Sequence, residues 1–129
     1  MTAELDIGLY TAWPTERREE IAANWHNRQV GSRVVSETDQ LRIWHLELEP
    51  GERAPFHRHN ESYFWTVLGG GRSLSYYHDG SVKEADYQSG DTMHFDFRDG
   101  EFMVHDLENI GDTPLKFVTV EFKVQEDGS

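Results

Sequence analysis

Turn signals at short intervals after residue 31 constrain the fold of this chain more than any other sequence feature. The turn segments, rich in Gly, Asp and Asn, are HDGS at 78–81, QSGD at 88–91, RDGE at 98–101 and NIGDTP at 109–114. The pair Asp79-Gly80 is a strong signal for a β-hairpin. Turns spaced by about 8 to 12 residues, with aromatic and β-branched residues between them, are typical of a β-sandwich or a β-barrel. The sequence therefore predicts an all-β fold.

One helical stretch precedes the strands, at residues 14–27 (PTERREEIAANWHN). Thr15 is placed to cap its N-terminus. Ile21 and Trp25 lie four residues apart, which is the spacing of an apolar stripe on a helix. We therefore expect two segments, an N-terminal arm with a short helix over residues 1–30 and a single β-barrel domain over residues 31–125.

Charge and composition narrow the classes of partner. The 129 residues carry a formal net charge of -12, which argues against nucleic acid and anionic membrane surfaces as partners. The chain has no cysteine, so it has no disulfide and no thiolate chemistry. No apolar run approaches the ~18 residues of a membrane span. The start, MTAELDIGLYTAWP, lacks the features of a signal peptide, and the cytoplasm is the expected compartment.

Two histidines separated by one residue, His57 and His59, lie in the aromatic segment FHRHNESYFW. Residues 56–68 are predicted to form one long strand, bent near Asn60, in which alternation places both imidazoles on one face. Two imidazoles that converge in this way are what a divalent first-row metal needs from adjacent ligands. The alternative is a pair of surface histidines on an edge strand.

A third histidine, His105, occurs in the later segment FMVHDLEN. If its strand lies antiparallel to the first one across a barrel, three imidazoles share one interior face. Open positions would then remain at a bound metal ion for water or substrate. The sequence thus predicts a metal site formed by His57, His59 and His105.

The spacing of these histidines resembles the sequence motifs of the cupins. The first cupin motif has the form G-x5-H-x-H-x3-4-E-x6-G, and Gly51, His57 and His59 match its first half. Gly70 matches its closing glycine. The resemblance implies a cupin β-barrel, that is, a double-stranded β-helix or jelly roll, after a short N-terminal helical arm.

The second cupin motif, G-x5-P-x-G-x2-H-x3-N, is matched more loosely. Gly90 fits its opening turn, and His105 followed by Asn109 fits its end. Asp96 stands where the motif has proline, and Gly100 is followed by four residues before the histidine instead of two. The resemblance covers residues 41–123, and it does not by itself determine a function, because one fold hosts many activities.

The glutamate of the first cupin motif is missing. Tyr63 occupies its slot, and Phe64 occupies the alternative slot. Three interpretations follow. The site is a three-histidine centre whose fourth coordination position is open to water or substrate, a centre in which Glu61 also ligates, or a barrel without metal that only binds a small molecule. Some cupin dioxygenases resemble the first.

The resemblance implies an enzyme of dioxygenase type that uses a divalent metal, with Fe(II) as the first choice and Zn, Ni or Mn as alternatives. Three neutral imidazoles leave the charge of the ion uncompensated, which favours a small anionic or dicarbonyl substrate. Tyr63 is a candidate acid or hydrogen-bond donor, and the alternative is a core aromatic whose hydroxyl is satisfied. His94 is a candidate base or substrate contact if its side chain enters the cavity, and the alternative, which we favour, is placement on the surface. The alternatives are a non-catalytic sensor of a small molecule, and an isomerase or lyase acting on a sugar-derived acid.

Two further expectations concern the surface. The apolar residues of the arm, Trp13, Ile21 and Trp25, are expected to pack on a neighbouring barrel, which predicts a homodimer. His26 and His78 lie beside turns and are expected to be exposed.

Overall fold

Two antiparallel β-sheets form most of the structure. The computed structural model describes residues 10–123. Within this range the elements are α1 (Thr15–Ala23), β1 (Arg33–Glu37), β2 (Leu41–Leu48), β3 (Arg53–His59), β4 (Tyr63–Gly69), β5 (Gly71–Tyr76), β6 (Val82–Tyr87), β7 (Thr92–Phe95), β8 (Met103–Asn109) and β9 (Leu115–Phe122). The prediction of an all-β fold with a short helix near the N-terminus is confirmed.

The strands divide into a five-stranded sheet, in the order β1-β2-β9-β4-β7, and a four-stranded sheet, in the order β3-β8-β5-β6. Inward-facing side chains of both sheets meet in one apolar cluster. Its buried members are Leu46, Leu48, Val67, Leu107, Leu115 and Phe117. Burial of each such side chain stabilises the fold by roughly 1.5 to 3 kcal/mol.

Helix α1 is shorter than the predicted segment 14–27. It begins after Pro14, whose φ of -57° suits a helix start and whose carbonyl accepts the backbone N–H of Arg17. No side chain caps this end, so the capping role predicted for Thr15 is wrong. The helix ends at Ala23, and no helix within residues 10–123 is long and apolar enough to cross a membrane.

The N-terminal arm packs against the barrel of its own chain. Tyr10, Trp13 and Ile21 are buried with Phe56 and Val104 in a second apolar cluster, on the outer side of the four-stranded sheet. The ring centroids of Tyr10 and Trp13 are 4.2 Å apart in a stacked pair. Trp13 and Ile21 are therefore covered within one chain, which removes the reason given for a homodimer. The homodimer stays a prediction, and light scattering tests it.

The predicted long strand over residues 56–68 is in fact two strands. β3 ends at His59 in the four-stranded sheet, and β4 begins at Tyr63 in the five-stranded sheet. Ser62 holds the crossing segment in place, because its Oγ accepts the backbone N–H of Phe97 at 2.9 Å. A bent strand and a crossing between two sheets can leave the same alternation in the sequence, so the pattern does not separate them.

Gly70 lies between β4 and β5, where the chain has no room for a side chain. A Cβ atom added there would overlap the backbone carbonyl oxygen of Tyr87. We expect Gly70→Ala to lower the free energy of unfolding by about 2 kcal/mol or more, because the backbone has to shift. Urea unfolding followed by tryptophan fluorescence measures this loss. Gly69→Ala is the matched control, since its nearest contact would be Pro114 O at 3.2 Å; equal losses in both variants would contradict the expectation.

Candidate metal centre

A β-bulge in β3 sets the direction of the first histidine. In the pairing of β3 with β8, Ala54 faces Leu107 and His57 faces His105, so three steps on one strand match two on the other. Pro55 lies in this bulge, a position where its missing N–H is tolerated. Its carbonyl oxygen accepts the Nδ1–H of His57 at 2.8 Å. The bulge therefore turns the imidazole inward and also fixes its tautomer.

The N-terminal arm satisfies backbone groups around the bulge. The N–H of Phe56 donates to Glu20 Oε2 at 2.8 Å, and its carbonyl accepts the side-chain amides of Asn24 and Asn27 at 3.2 Å and 2.9 Å. The N–H of Arg58 donates to the carbonyl of Asn27 at 2.6 Å. A buried polar group without a partner costs about 1 to 3 kcal/mol. These four bonds hold the bulge in one conformation, and with it the histidines on either side of Arg58.

Three histidines, His57, His59 and His105, converge inside the barrel. One ring nitrogen from each lies within 4.8 Å of the other two. The Nε2 atoms of His59 and His105 are 3.3 Å apart. His57 and His59 are each only 3% exposed. The three-histidine face expected from the sequence is present, with two members from β3 and one from β8.

Burial keeps these three imidazoles neutral near pH 7. It lowers the pKa of His57 to about 4. It also lowers the pKa of His59 and of His105 well below the ordinary value, and the neighbouring histidines lower both further. Because His57 donates from Nδ1, its Nε2 carries the free lone pair. A neutral imidazole with a free lone pair is the form that binds a metal ion.

The geometry of the cluster fits a divalent metal ion. Two nitrogens that each lie about 2.1 Å from one ion are roughly 3.0 to 3.4 Å apart at octahedral or tetrahedral angles. The separation of 3.3 Å between His59 Nε2 and His105 Nε2 falls in this range. Their Nδ1 atoms are buried and have no hydrogen-bond partner among the described residues, so stacking holds these two rings instead. Tyr63 stacks on His59 at 4.1 Å, and Tyr77 stacks on His105 at 5.2 Å.

Tyr63 is buried directly beside this cluster. Its ring lies between those of His59 and Phe95, with centroid distances of 4.1 Å and 4.7 Å. Burial raises the pKa of Tyr63 well above its ordinary value, and the tyrosines nearby and Glu121 raise it further. The phenol is therefore protonated at neutral pH, and it is suited to donate a hydrogen bond and not to act as a base.

Glu61 is directed to two arginines and does not join the histidines. Its Oε1 lies 3.3 Å from Arg28 Nη2 and 3.5 Å from Arg42 Nη1. The metal-competent group found among residues 10–123 contains the three histidines without it. The interpretation in which Glu61 is a metal ligand is therefore wrong. The chain leaves the four-stranded sheet after His59, and the alternation that would place Glu61 on the histidine face ends there.

His94 lies on the exposed face of β7, with its ring 5.1 Å from that of Phe64. Its neighbours Met93 and Phe95 line the cavity instead. The exposed position agrees with surface placement of His94 and not with its entry into the cavity, because successive residues of a strand face opposite sides.

His78 lines the cavity, although its position beside a turn predicted exposure. Its Nδ1 accepts the backbone N–H of Val104 at 3.1 Å, and its ring stacks on Phe102 at 4.9 Å. A bridge between Tyr77 and His105 draws this part of the chain onto β8. The turn signal HDGS correctly locates the hairpin, but it carries no information about that bridge.

A cavity of about 580 Å³ extends from the three histidines into the barrel. This volume is in the range of small-molecule sites. Apart from the histidines, much of its wall carries aromatic rings or hydroxyl groups, including Trp65, Ser73, Ser75, Tyr77, Tyr87 and Phe117. The site therefore combines a cluster able to hold a metal ion with space for a ligand.

The buried histidines predict that the metal-free protein loses stability in mild acid. The unfolded chain takes up a proton at His57 near pH 6.5, whereas the folded chain does so at about pH 4. The unfolded state thus binds more protons between these values, and the free energy of unfolding falls as pH falls, by about 1.4 kcal/mol per pH unit for each such histidine. We expect a loss of about 2 kcal/mol or more between pH 7 and pH 5. Urea unfolding in the presence of EDTA measures it. His57→Gln should make the profile shallower, and a flat wild-type profile would refute the expectation.

Comparison with known proteins agrees with the fold. A family model described as a cupin domain matches residues 44–121. Oxalate decarboxylase of Bacillus subtilis (strain 168) is 33% identical over 77 residues, which cover 58% of this chain and 19% of that protein. The chain thus spans about a fifth of the length of this curated relative.

Solved structures show the same architecture. A cupin domain from Bordetella pertussis Tohama I is similar with a TM-score of 0.64 and 19% identity, over 77% of this chain and 97% of that one. A protein with a double-stranded β-helix domain from Klebsiella pneumoniae is similar with a TM-score of 0.54 and 26% identity, over 74% of this chain and 81% of that one.

Proposed function

Since this chain belongs to the cupin domain family, we propose that it is a metal-dependent enzyme of dioxygenase type that acts on a small anionic or dicarbonyl substrate. The observation that carries the proposal is the convergence of His57, His59 and His105 at a deep cavity. Among residues 10–123, no carboxylate joins this group.

Fe(II) is the metal that suits this proposal best, with Zn, Ni and Mn as alternatives for a histidine-only site. When bound, iron would supply positive charge and open positions for both a chelating substrate and O₂. Three neutral imidazoles leave the +2 charge of such an ion uncompensated, so an enolate or a carboxylate is the favoured substrate head. In the reaction class proposed, one C–C bond breaks and both oxygen atoms of O₂ enter the products, so a 1,3-dicarbonyl gives a carboxylic acid and a 1,2-dicarbonyl.

The residues of this chain have separate roles in the proposal. The three histidines hold the metal ion, and the bulge at Pro55 keeps His57 in the tautomer that does so. Tyr63 donates a hydrogen bond to an oxygen atom of the substrate. The aromatic wall of the cavity excludes bulk water, which strengthens these electrostatic contacts.

Tyr63→Phe tests the role of this hydroxyl. The variant keeps the ring that stacks on His59 and Phe95, so the metal content should stay the same. Loss of the hydrogen bond should lower kcat about 10- to 100-fold, because the donor acts on charge that develops during the reaction. Oxygen uptake by iron-loaded protein is measured with a panel of β-diketones, thiol acids and 2-oxo acids. Unchanged kcat in the variant would remove Tyr63 from the mechanism, and no uptake with any compound would count against the dioxygenase itself.

A decarboxylase is the second candidate, because the curated relative is named an oxalate decarboxylase. It would release CO₂ from an acid without a lasting consumption of O₂. Measuring both gases in one experiment separates the two activities. Ligand binding by the metal-loaded protein with no turnover in either assay would favour a sensor of a small molecule.

A further inference from the structure

The cavity reaches beyond the space that a small chelating group needs. Its volume of about 580 Å³ lies within the range of sites that take drug-sized ligands. A two-carbon dianion held at the histidines would leave most of this space unfilled. The remaining wall must therefore contribute to the choice of substrate.

Three aromatic side chains form the part of the wall that we call the aromatic floor: Trp65, Tyr87 and Phe117. Each ring meets the other two edge to face, with centroid distances of 5.1 to 5.3 Å. Phe117 is buried in the apolar cluster, whereas Trp65 and Tyr87 are only partly buried. Trp65 shares the inward face of β4 with Tyr63 and Val67, so its accessible surface faces the cavity.

Serine side chains accompany the tyrosine hydroxyls near the aromatic floor. Ser73 partly offsets the rise that burial causes in the pKa of Tyr87, and Ser75 does the same for Tyr77. Both serines are buried in the wall formed by β5. The ring faces of Trp65 and Phe117, in contrast, offer no partner to a ligand hydroxyl group, and each group left unpaired there would weaken binding.

Charged residues are sparse in the cavity wall and lie at one side. Those lining it among the described residues are Asp79, Lys83 and Glu84, all exposed and near the β5–β6 hairpin. Lys83 Nζ lies 5.2 Å from the centre of the Tyr77 ring. No arginine of residues 10–123 lines the cavity. A phosphate or a second carboxylate would therefore meet two acidic groups and one amine.

We propose that the aromatic floor is a subsite for a flat apolar group, so that the substrate is a monoanionic chelating carbonyl compound with an aryl tail. The inference rests on the proposed function for the head group, which the three histidines and their metal ion would hold. The tail then packs against Trp65 and replaces water in the unfilled part of the cavity. An apolar subsite of this kind disfavours sugar acids and sugar phosphates as substrates, because aromatic ring faces do not pair with their hydroxyl and phosphate groups.

Binding to zinc-loaded protein, which does not undergo redox chemistry, tests this proposal by calorimetry. The probes are acetylacetone, 1-phenyl-1,3-butanedione and oxalate. We expect the phenyl compound to bind about tenfold tighter than acetylacetone, since the added ring buries apolar surface, and oxalate to bind most weakly. Equal affinities for the two diketones, or tightest binding by oxalate, would overturn the proposed subsite for an aryl group.

Trp65→Leu removes the aromatic plane while keeping an apolar side chain. The preference for the phenyl compound should fall to within about threefold, because the ring contact is lost. Phe122→Leu is the matched control, since Phe122 is 44% exposed and lies outside the cavity wall. The control should keep the full preference, and a variant at position 65 that also keeps it would reject the subsite.

Acetophenone separates failure of the subsite from failure of the proposed function, because it carries the aryl group without a chelating head. Added to metal-free protein, it should shift the NMR signal of the Trp65 indole, whereas gluconate should not. If zinc-loaded protein binds none of the chelators, the proposed function fails. The subsite then stands if acetophenone shifts the Trp65 signal, and it fails if that signal does not move.

Discussion

Replacing His57 by alanine is expected to reduce the bound metal from about one ion per chain to about 0.2 or less, because the site loses one of three ligands. His57 is buried and faces His105 across the β3–β8 pairing, and no other side chain among residues 10–123 joins the group in a way that would replace its nitrogen. The measurement is elemental analysis of purified protein after loading with Fe(II) and removal of free metal. His105→Ala should behave in the same way, since it removes the ligand from the other strand.

The control for this experiment is His94→Ala. That side chain is exposed on β7 and lies outside the cavity wall, so its loss should leave the metal content unchanged. Circular dichroism shows whether each variant keeps its strands. Full metal content in both His57→Ala and His105→Ala would exclude the three-histidine centre, and no metal in the loaded wild-type protein would favour a barrel that binds only a small molecule.

Replacing Arg53 by methionine is expected to lower the free energy of unfolding by about 3 to 5 kcal/mol, the usual cost of removing one partner of a buried ion pair. Arg53 Nη2 lies 2.7 Å from Asp106 Oδ2, and Asp106 is fully buried. The same guanidinium holds Glu20, at 2.8 Å from Oε1 and 3.0 Å from Oε2. Methionine keeps most of the alkyl stem of arginine, so the loss of stability reflects mainly the missing charge of the guanidinium group. Arg17, 3.3 Å from Asp106, moderates the effect.

Urea unfolding at pH 7 measures this difference, and Arg72→Met is the matched control. Arg72 pairs with Glu84 at 3.4 Å, but both side chains are more than half exposed. An exposed pair contributes about 0 to 1 kcal/mol, so the control should change stability little. Equal effects in the two variants would show that the network around Asp106 is not a major source of stability. A lower metal affinity in Arg53→Met alone would show in addition that Glu20 helps to hold the bulge before His57.

Much of the fold could be predicted from local signals. The hairpin signal Asp79-Gly80 lies between β5 and β6, as expected, and the turns after it separate β6, β7, β8 and β9. These signals depend on a few neighbouring residues, so they can be recognised without knowledge of the tertiary structure. The length of α1 was overestimated, because the segment after Ala23 is used for hydrogen bonds to the histidine strand and not for another helical turn.

The candidate site could be predicted only in part. The spacing of His57 and His59, and the likeness of His105 to the second cupin motif, identified the cluster. Strand alternation would place Glu61 on the same face as the histidines and make it a candidate ligand, but this alternation holds only within one strand. The sequence predicts a bend near Asn60 but does not distinguish a bend from a change of sheet. The change of sheet directs Glu61 to Arg28 and Arg42.

The sequence by itself determined the all-β class, the positions of the main turns and the three histidines that meet in the barrel, since these follow from spacing and from turn chemistry. Only the tertiary structure decided which neighbours surround them. Long-range pairing placed Tyr63 on His59, brought His78 to the cavity and left His94 outside. Packing of the arm on its own barrel was decided in the same way. The physical reason is that burial and sheet pairing join residues far apart in the chain, while sequence patterns report on neighbours a few positions away.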